Sequence, residues 1–135
     1  MAHPALWLPL MLLAACAPDN IARSSCQSEL LAVGDPWACT ITGESVGQAS
    51  SLSFDTESRN QVARVKISLR VKRGTLRLGY QDLAGAHQVS ITRDSPLVLE
   101  LSTRLHRESR SFTLSFEPQG GKVEGLAGTV NYHTR

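Results

Sequence analysis

Between residues 62 and 71, Val65, Ile67, Leu69 and Val71 alternate strictly with Arg64, Lys66, Ser68 and Arg70. A period of two puts the apolar side chains of an extended chain on one face and the polar ones on the other, and no helix accommodates it. Such a segment is a strand with one face in a core and one in water, so the chain must form a sheet and supply a second layer to cover it. The alternation recurs along the chain. Trp37, Cys39 and Ile41 share one parity, and so do Leu52 and Phe54, then Leu76, Leu78 and Tyr80, then Val89 and Ile91. Leu97, Leu99 and Leu101 form another set, as do Phe112, Leu114 and Phe116. Turn chemistry separates these runs: Arg73-Gly74, residues 82–87 with Gly85, Asp94-Ser95-Pro96, the polar stretch 104–111, and Pro118-Gln119-Gly120-Gly121. A Gly-rich strand around 123–132 closes the chain. No window carries a helical stripe. The expectation is an all-β fold, a small antiparallel β-sandwich of immunoglobulin-like or jelly-roll type with about seven to eight strands. Within it, 62–81 reads as a β-hairpin turning at Arg73-Gly74.

The first residues belong to a different grammar. Residues 5–15 are an uncharged, Leu- and Ala-rich run, too short to cross a bilayer, which takes about 20 residues, but matched to the apolar region of a signal peptide. It ends in Leu13-Ala14-Ala15-Cys16. This resembles the lipobox of bacterial lipoproteins, in which small residues precede a cysteine that receives a diacylglyceryl group and becomes the acylated N-terminus after cleavage. The resemblance covers about the first 16 residues. It implies lipidation at Cys16 and export to the cell envelope, and Ala17 after the cysteine implies the outer membrane rather than retention at the inner one. The expected organisation is a signal peptide at 1–15, a lipidated tether at 16–25, rich in small and polar residues, and a β-sandwich domain at 26–135. Cleavage leaves about 120 residues, within the roughly 100–150 at which single domains cluster.

With Cys16 lipidated, Cys26 and Cys39 remain. In an oxidising compartment two cysteines read as a disulfide, closing a loop of about 14 residues. No second pair and no nearby histidine completes a zinc set, and no metal or cofactor is expected.

The sequence offers little for catalysis. Gly43-Glu44-Ser45-Val46-Gly47 matches the nucleophile-elbow pattern, but that chemistry needs the serine on a strand-to-helix turn above a large α/β sheet, and no helix pattern follows. The segment reads instead as a turn between strands, and no catalytic residue is assigned. His87, His106 and His133 fall in turns or near the C-terminus without ligand spacing, and Asp55-Thr56-Glu57 reads as a solvated loop rather than a calcium site.

Charge is unevenly distributed. From Arg59 to Gln81 the chain carries Arg59, Arg64, Lys66, Arg70, Lys72, Arg73 and Arg77, with no acid between Glu57 and Asp82. Residues 16–57 hold Asp19, Glu29, Asp35, Glu44, Asp55 and Glu57 against Arg23 alone. By parity Arg64, Lys66, Arg70 and Lys72 share one face of the expected hairpin, and Arg77 joins them. Such a face suits an anionic partner: an envelope polymer, a headgroup or an acidic protein patch. Nucleic acid is not expected in that compartment, and with aromatics at 5% the chain is poor in base-stacking rings. The expected function is therefore a non-enzymatic envelope lipoprotein acting in binding or assembly. The alternative is a carbohydrate- or cell-wall-binding module. It would need exposed aromatic platforms, for which Trp37, Tyr80 and Tyr132 are the candidates, and their parity places them in the core.

Overall fold

A computed structural model describes residues 20–28 and 36–134. These residues form eight antiparallel strands and no helix: β1 (Arg23–Ser28), β2 (Trp37–Val46), β3 (Ser50–Asp55), β4 (Val62–Arg70), β5 (Arg73–Asp82), β6 (Gly85–Ile91), β7 (Leu97–Arg104) and β8 (Ser111–His133). The expected all-β class is the class found.

The strands make two layers that share β8. Its C-terminal half lies between β2 and β4, giving the order β1-β2-β8-β4-β7. Its N-terminal half lies between β3 and β5, and β6 flanks β5. The arrangement is one long hairpin wrapped on itself. Its tip is the β5–β6 turn at Leu83-Ala84, its next rung is β4 with β7, then β3 and β2 run against the two halves of β8. Wrapping brings β8 alongside β4 and β5 as well. Two sheets joined in this way are the jelly-roll form of the sandwich, one of the two expected.

Alternation fixes which side chains enter the core. On β4, Ala63, Val65, Ile67 and Leu69 are buried while Arg64, Lys66 and Arg70 are exposed. Leu76 and Leu78 of β5, Ile91 of β6 and Leu114 and Phe116 of β8 cover them from the second layer. Fully burying side chains of this kind contributes about 1.5–3 kcal/mol each, so the core is the main stabilising term. At one end, Tyr132 of β8 packs edge-on against Phe54 and Phe112 at centroid distances of 6.1 and 5.0 Å, and its hydroxyl donates to the Asp55 carbonyl at 2.7 Å. Aromatic edge contacts and a cross-layer hydrogen bond hold the sheets together there.

Three expectations need correcting. First, 62–81 is not a hairpin. β4 and β5 do not pair with each other; both pair with β8, and the chain passes from one layer to the other between Arg70 and Arg73. Gly74 there has a φ of 91°, and a side chain on it would meet the Lys122 carbonyl at 2.7 Å, so this is a corner packed against β8. Second, Pro118–Gly121 is not a terminating turn. Thr75 pairs with Gln119 while Arg73 pairs with Glu124, so residues 120–123 bulge opposite Gly74 alone, and β8 bends into the other layer without ending. Bulges with positive-φ glycines are how sheets turn corners, and Gly120 and Gly121 have φ of 75° and 144°. Third, the fold begins before residue 26. The Asn20 carbonyl accepts from the Gly47 and Gln48 amides, Ala22 is buried, and β1 starts at Arg23, so 20–25 are not tether. Residues 1–19, with the expected signal peptide, Cys16 and the start of the expected tether, lie outside the described residues.

Cys26 and Cys39 form the expected disulfide. They stand directly opposite each other on β1 and β2, with Cα atoms 4.0 Å apart. The bond fastens the edge strand β1 to the sheet.

Candidate functional site

The outer face of the five-stranded layer is built by register. Arg64 sits beside His133 and Ser102, Lys66 beside Asn131 and Glu100, Ser68 beside Thr129, and Arg70 beside Ala127. Because each of these residues alternates with a buried neighbour, its side chain faces water. Arg64, Lys66, Glu100, Ser102, Asn131 and Pro36 line a shallow depression of about 660 Å³. The carboxylate there is Glu100, 3.9 Å from Lys66 Nζ with both side chains largely exposed; a pair of that kind contributes little and leaves the field of the face positive.

The structure brings Arg64, Lys66, Arg70 and Lys72 to one side of the five-stranded layer, but not Arg77. Lys72 lies past the end of β4 at the corner, where it lines a second depression with Arg70, Arg23 and Glu44. Arg77 belongs to the other layer. There it donates to Gln119 at 2.6 Å and pairs with Glu117 at 3.6 Å, so it does not extend the face. The cause is the corner: parity counted through 62–81 assumed one sheet. In exchange, register puts Arg104 of β7 and Arg23 of β1 on the same outer side as Arg64. Neither is legible in the sequence, because nothing local says that β7 pairs with β4 or that residues 23–25 join the sheet through β2. The outer side of the second layer is different in kind, with Ser51, Ser53, Thr113, Ser115 and Gly79 in neighbouring positions.

The aromatic rings point inward. Trp37 stacks on Tyr132 at 5.2 Å, Phe54 on Phe112 at 5.1 Å, and Tyr80 on His87 at 5.3 Å. Tyr132 is buried, while Trp37 and Tyr80 pack against the core from partly exposed positions. Burial, with repulsion from Asp55 as the smaller cause, pushes the Tyr132 hydroxyl well above its ordinary value. Tyr80 and His87, with Gly79, Gln81 and Ala86, line a depression of about 360 Å³.

Ser45 lies inside β2, paired with Glu124, so the segment Gly43–Gly47 is strand for most of its length rather than the expected turn. It lacks the strand-to-helix geometry of a nucleophile elbow. His87 Nε2 lies 3.0 Å from Asp82 Oδ1 at the β5–β6 tip. The Ala84 amide, and after it His87 and the Gly85 amide, hold the Asp82 carboxyl below its usual value despite partial desolvation. His106 is in the β7–β8 connection and His133 is at the end of β8, both exposed. Among the described residues no three histidine, cysteine or acidic side chains gather as metal ligands. Thr56 of the Asp55-Thr56-Glu57 segment is buried and donates to the Arg110 carbonyl at 2.9 Å.

No protein-family model matches the chain, and none of the curated proteins does. Among solved structures, the vertex protein P5 of PRD1 is similar over 87% of this chain and 99% of its own, at 10% identity and a TM-score of 0.47. The CBM22-1 xylan-binding domain from Paenibacillus barcinonensis Xyn10C covers 83% of this chain and 80% of its own at 15% identity and 0.41. BiXyn10A CBM1 covers 73% and 74% at 12% identity and 0.42. At these values the likeness is one of general shape, and no binding property is taken from it.

Proposed function

We propose that this protein is an exported, lipid-anchored and non-enzymatic binding protein whose five-stranded face holds an anionic partner in the cell envelope. The observation that carries the reading is the asymmetry between the two outer faces. One presents Arg64, Lys66 and Arg70 over adjacent small hydroxyl and amide side chains, opposed by the exposed Glu100 and Glu44. The other presents mainly serine, threonine and glycine, and its Arg77 is matched by Glu117. A positive, flat, solvated face speeds and orients the approach of polyanions. The Cys26–Cys39 bond fits an oxidising compartment, in keeping with the lipobox-like ending at Cys16. A sugar-stacking site is less well supported, since it would need an outward aromatic platform.

The geometry adds an orientation. Asn20 is held beside Gly47 at the end of the sandwich where β8 bends. Cys16 is four residues away, a reach of at most about 14 Å. An anchor on Cys16 thus sets the bend end against the membrane and turns the opposite end outward.

The test is salt-dependent retention on purified envelope. The wild-type protein should be retained at low ionic strength and released as salt rises. The triple variant Arg64→Glu, Lys66→Glu, Arg70→Glu should be retained far less while keeping the wild-type circular dichroism. Equal, salt-insensitive retention of both would exclude this face as the contact.

A further inference from the structure

The end of the sandwich opposite the bend carries a second concentration of positive charge, which adjoins the sheet face at Arg104. The β3–β4 connection and the β7–β8 connection meet there, joined by the Leu105 amide donating to the Gln61 carbonyl at 2.8 Å. Arg59, Arg104, Arg107 and Arg110, with Gln61 and Leu105, line a depression of about 390 Å³. No acidic side chain lines it. None of the four guanidinium groups forms an ion pair with a carboxylate among the described residues, although Glu57 and Glu108 are close in sequence. Four unopposed arginines around one hollow repel one another, a cost that an anion bound between them removes.

The backbone there is held, not loose. Arg110 has a φ of 55°, and it is the one non-glycine among the described residues in the left-handed region, a conformation that persists only where its surroundings impose it. Its carbonyl accepts from both the amide and the hydroxyl of buried Thr56, each at 2.9 Å. Its own amide donates to the His106 carbonyl at 2.9 Å, and the His106 amide donates to the Ser111 carbonyl at 2.8 Å. Arg110 Nη1 reaches the Arg59 carbonyl at 3.5 Å, which ties its side chain to the facing connection. Asn60 pins that connection to the C-terminal strand by donating to the Thr134 carbonyl at 2.6 Å. Two braced loops and the end of β7 thus line one hollow with arginines, and bracing of this kind lowers the cost of ordering an oxyanion site.

We infer that this hollow binds a phosphate-class oxyanion. One arginine fork satisfies a single carboxylate, whereas several around one hollow match a multiply charged tetrahedral group with three or four acceptor oxygens. The site stands on its own geometry. Only its outward placement, and with it the preference for phosphoryl groups on a soluble or polymeric anion over headgroups of the anchoring membrane, rests on the proposed anchoring.

The test uses the full-length protein in detergent, titrated calorimetrically with inorganic phosphate and with tripolyphosphate. Saturable binding is expected, tighter for tripolyphosphate. Arg59→Gln and Arg107→Gln should each weaken it about tenfold, since both residues are exposed on loops and their substitution leaves the core untouched. Arg93→Gln, exposed in the β6–β7 connection, should leave it unchanged. Absence of saturable binding, or an equal loss in Arg93→Gln, would overturn the inference. So would an Arg107→Gln variant that loses affinity for phosphatidylglycerol vesicles but keeps it for tripolyphosphate. If the sheet face fails the retention test while tripolyphosphate binding persists, the proposed function falls and this site remains.

Discussion

Tyr132→Phe isolates one bond between the layers. The side chain is 2% exposed, stacks on Trp37 and meets Phe54 and Phe112 edge-on, and the substitution keeps all three ring contacts. What is lost is the 2.7 Å hydrogen bond to the Asp55 carbonyl. A net hydrogen bond plus a carbonyl left without its partner amounts to about 1–2 kcal/mol. For a domain of this length each kcal/mol moves the melting temperature by about 4 °C. Tyr132→Ala, which also empties the ring site, should cost about 3–5 kcal/mol. Alkaline pH adds a second readout. Because burial raises the hydroxyl's folded-state value above its ordinary 10.0, its stabilisation is complete below pH 10 and is lost as pH rises through 10 towards the folded value. The phenylalanine variant lacks that loss, so the gap between the proteins should narrow above pH 10. Urea denaturation followed by circular dichroism at pH 7 and pH 11 measures both effects. A variant as stable as wild type at pH 7, or a gap that stays constant to pH 11, would refute the argument that this hydroxyl joins the layers.

Reducing Cys26–Cys39 should destabilise the domain by about 3 kcal/mol through the loop it closes, read as a lower urea midpoint in dithiothreitol, with faster amide exchange in β1 before the rest of the sheet. Gly128→Ala should destabilise by about 1–3 kcal/mol, because a Cβ there collides with the Ser68 carbonyl oxygen and crowds Leu69, and strand backbone cannot step aside; thermal denaturation measures it. Asp82→Asn should narrow stability differences at acid pH. The wild-type carboxylate contributes stability above its ordinary 3.8 that is lost as pH falls through its lowered folded value, so the two proteins should converge in melts below pH 4.

What the sequence made legible was local: which residues are strand and which side of each strand is wet. Val65, Ile67 and Leu69, or Leu114 and Phe116, needed no knowledge of a partner to be placed inside, because a period of two sorts faces by itself. Pairing was not legible. Arg73-Gly74 and Pro118–Gly121 carry the chemistry of turns, yet both are corners where a ladder passes between layers, and turn residues serve either use because both need positive φ. That one ambiguity placed Arg77 on a face it does not share. Arg104 was hidden for a different reason: its place follows from the pairing of β7 with β4, and its neighbours in space come from loops distant in sequence. The first half of β1 looks like tether in the sequence because Arg23, Ser24 and Ser25 are small or polar, as an edge strand fastened by a disulfide can be.

The most direct test of the account is crosslinking in living cells followed by mass spectrometry, on the wild-type protein and the variant reversed at Arg64, Lys66 and Arg70. The account predicts a mature chain beginning at an acylated Cys16, and one discrete anionic partner captured by the wild type and lost by the variant. A chain beginning elsewhere without lipid, or the same capture from both proteins, would contradict it.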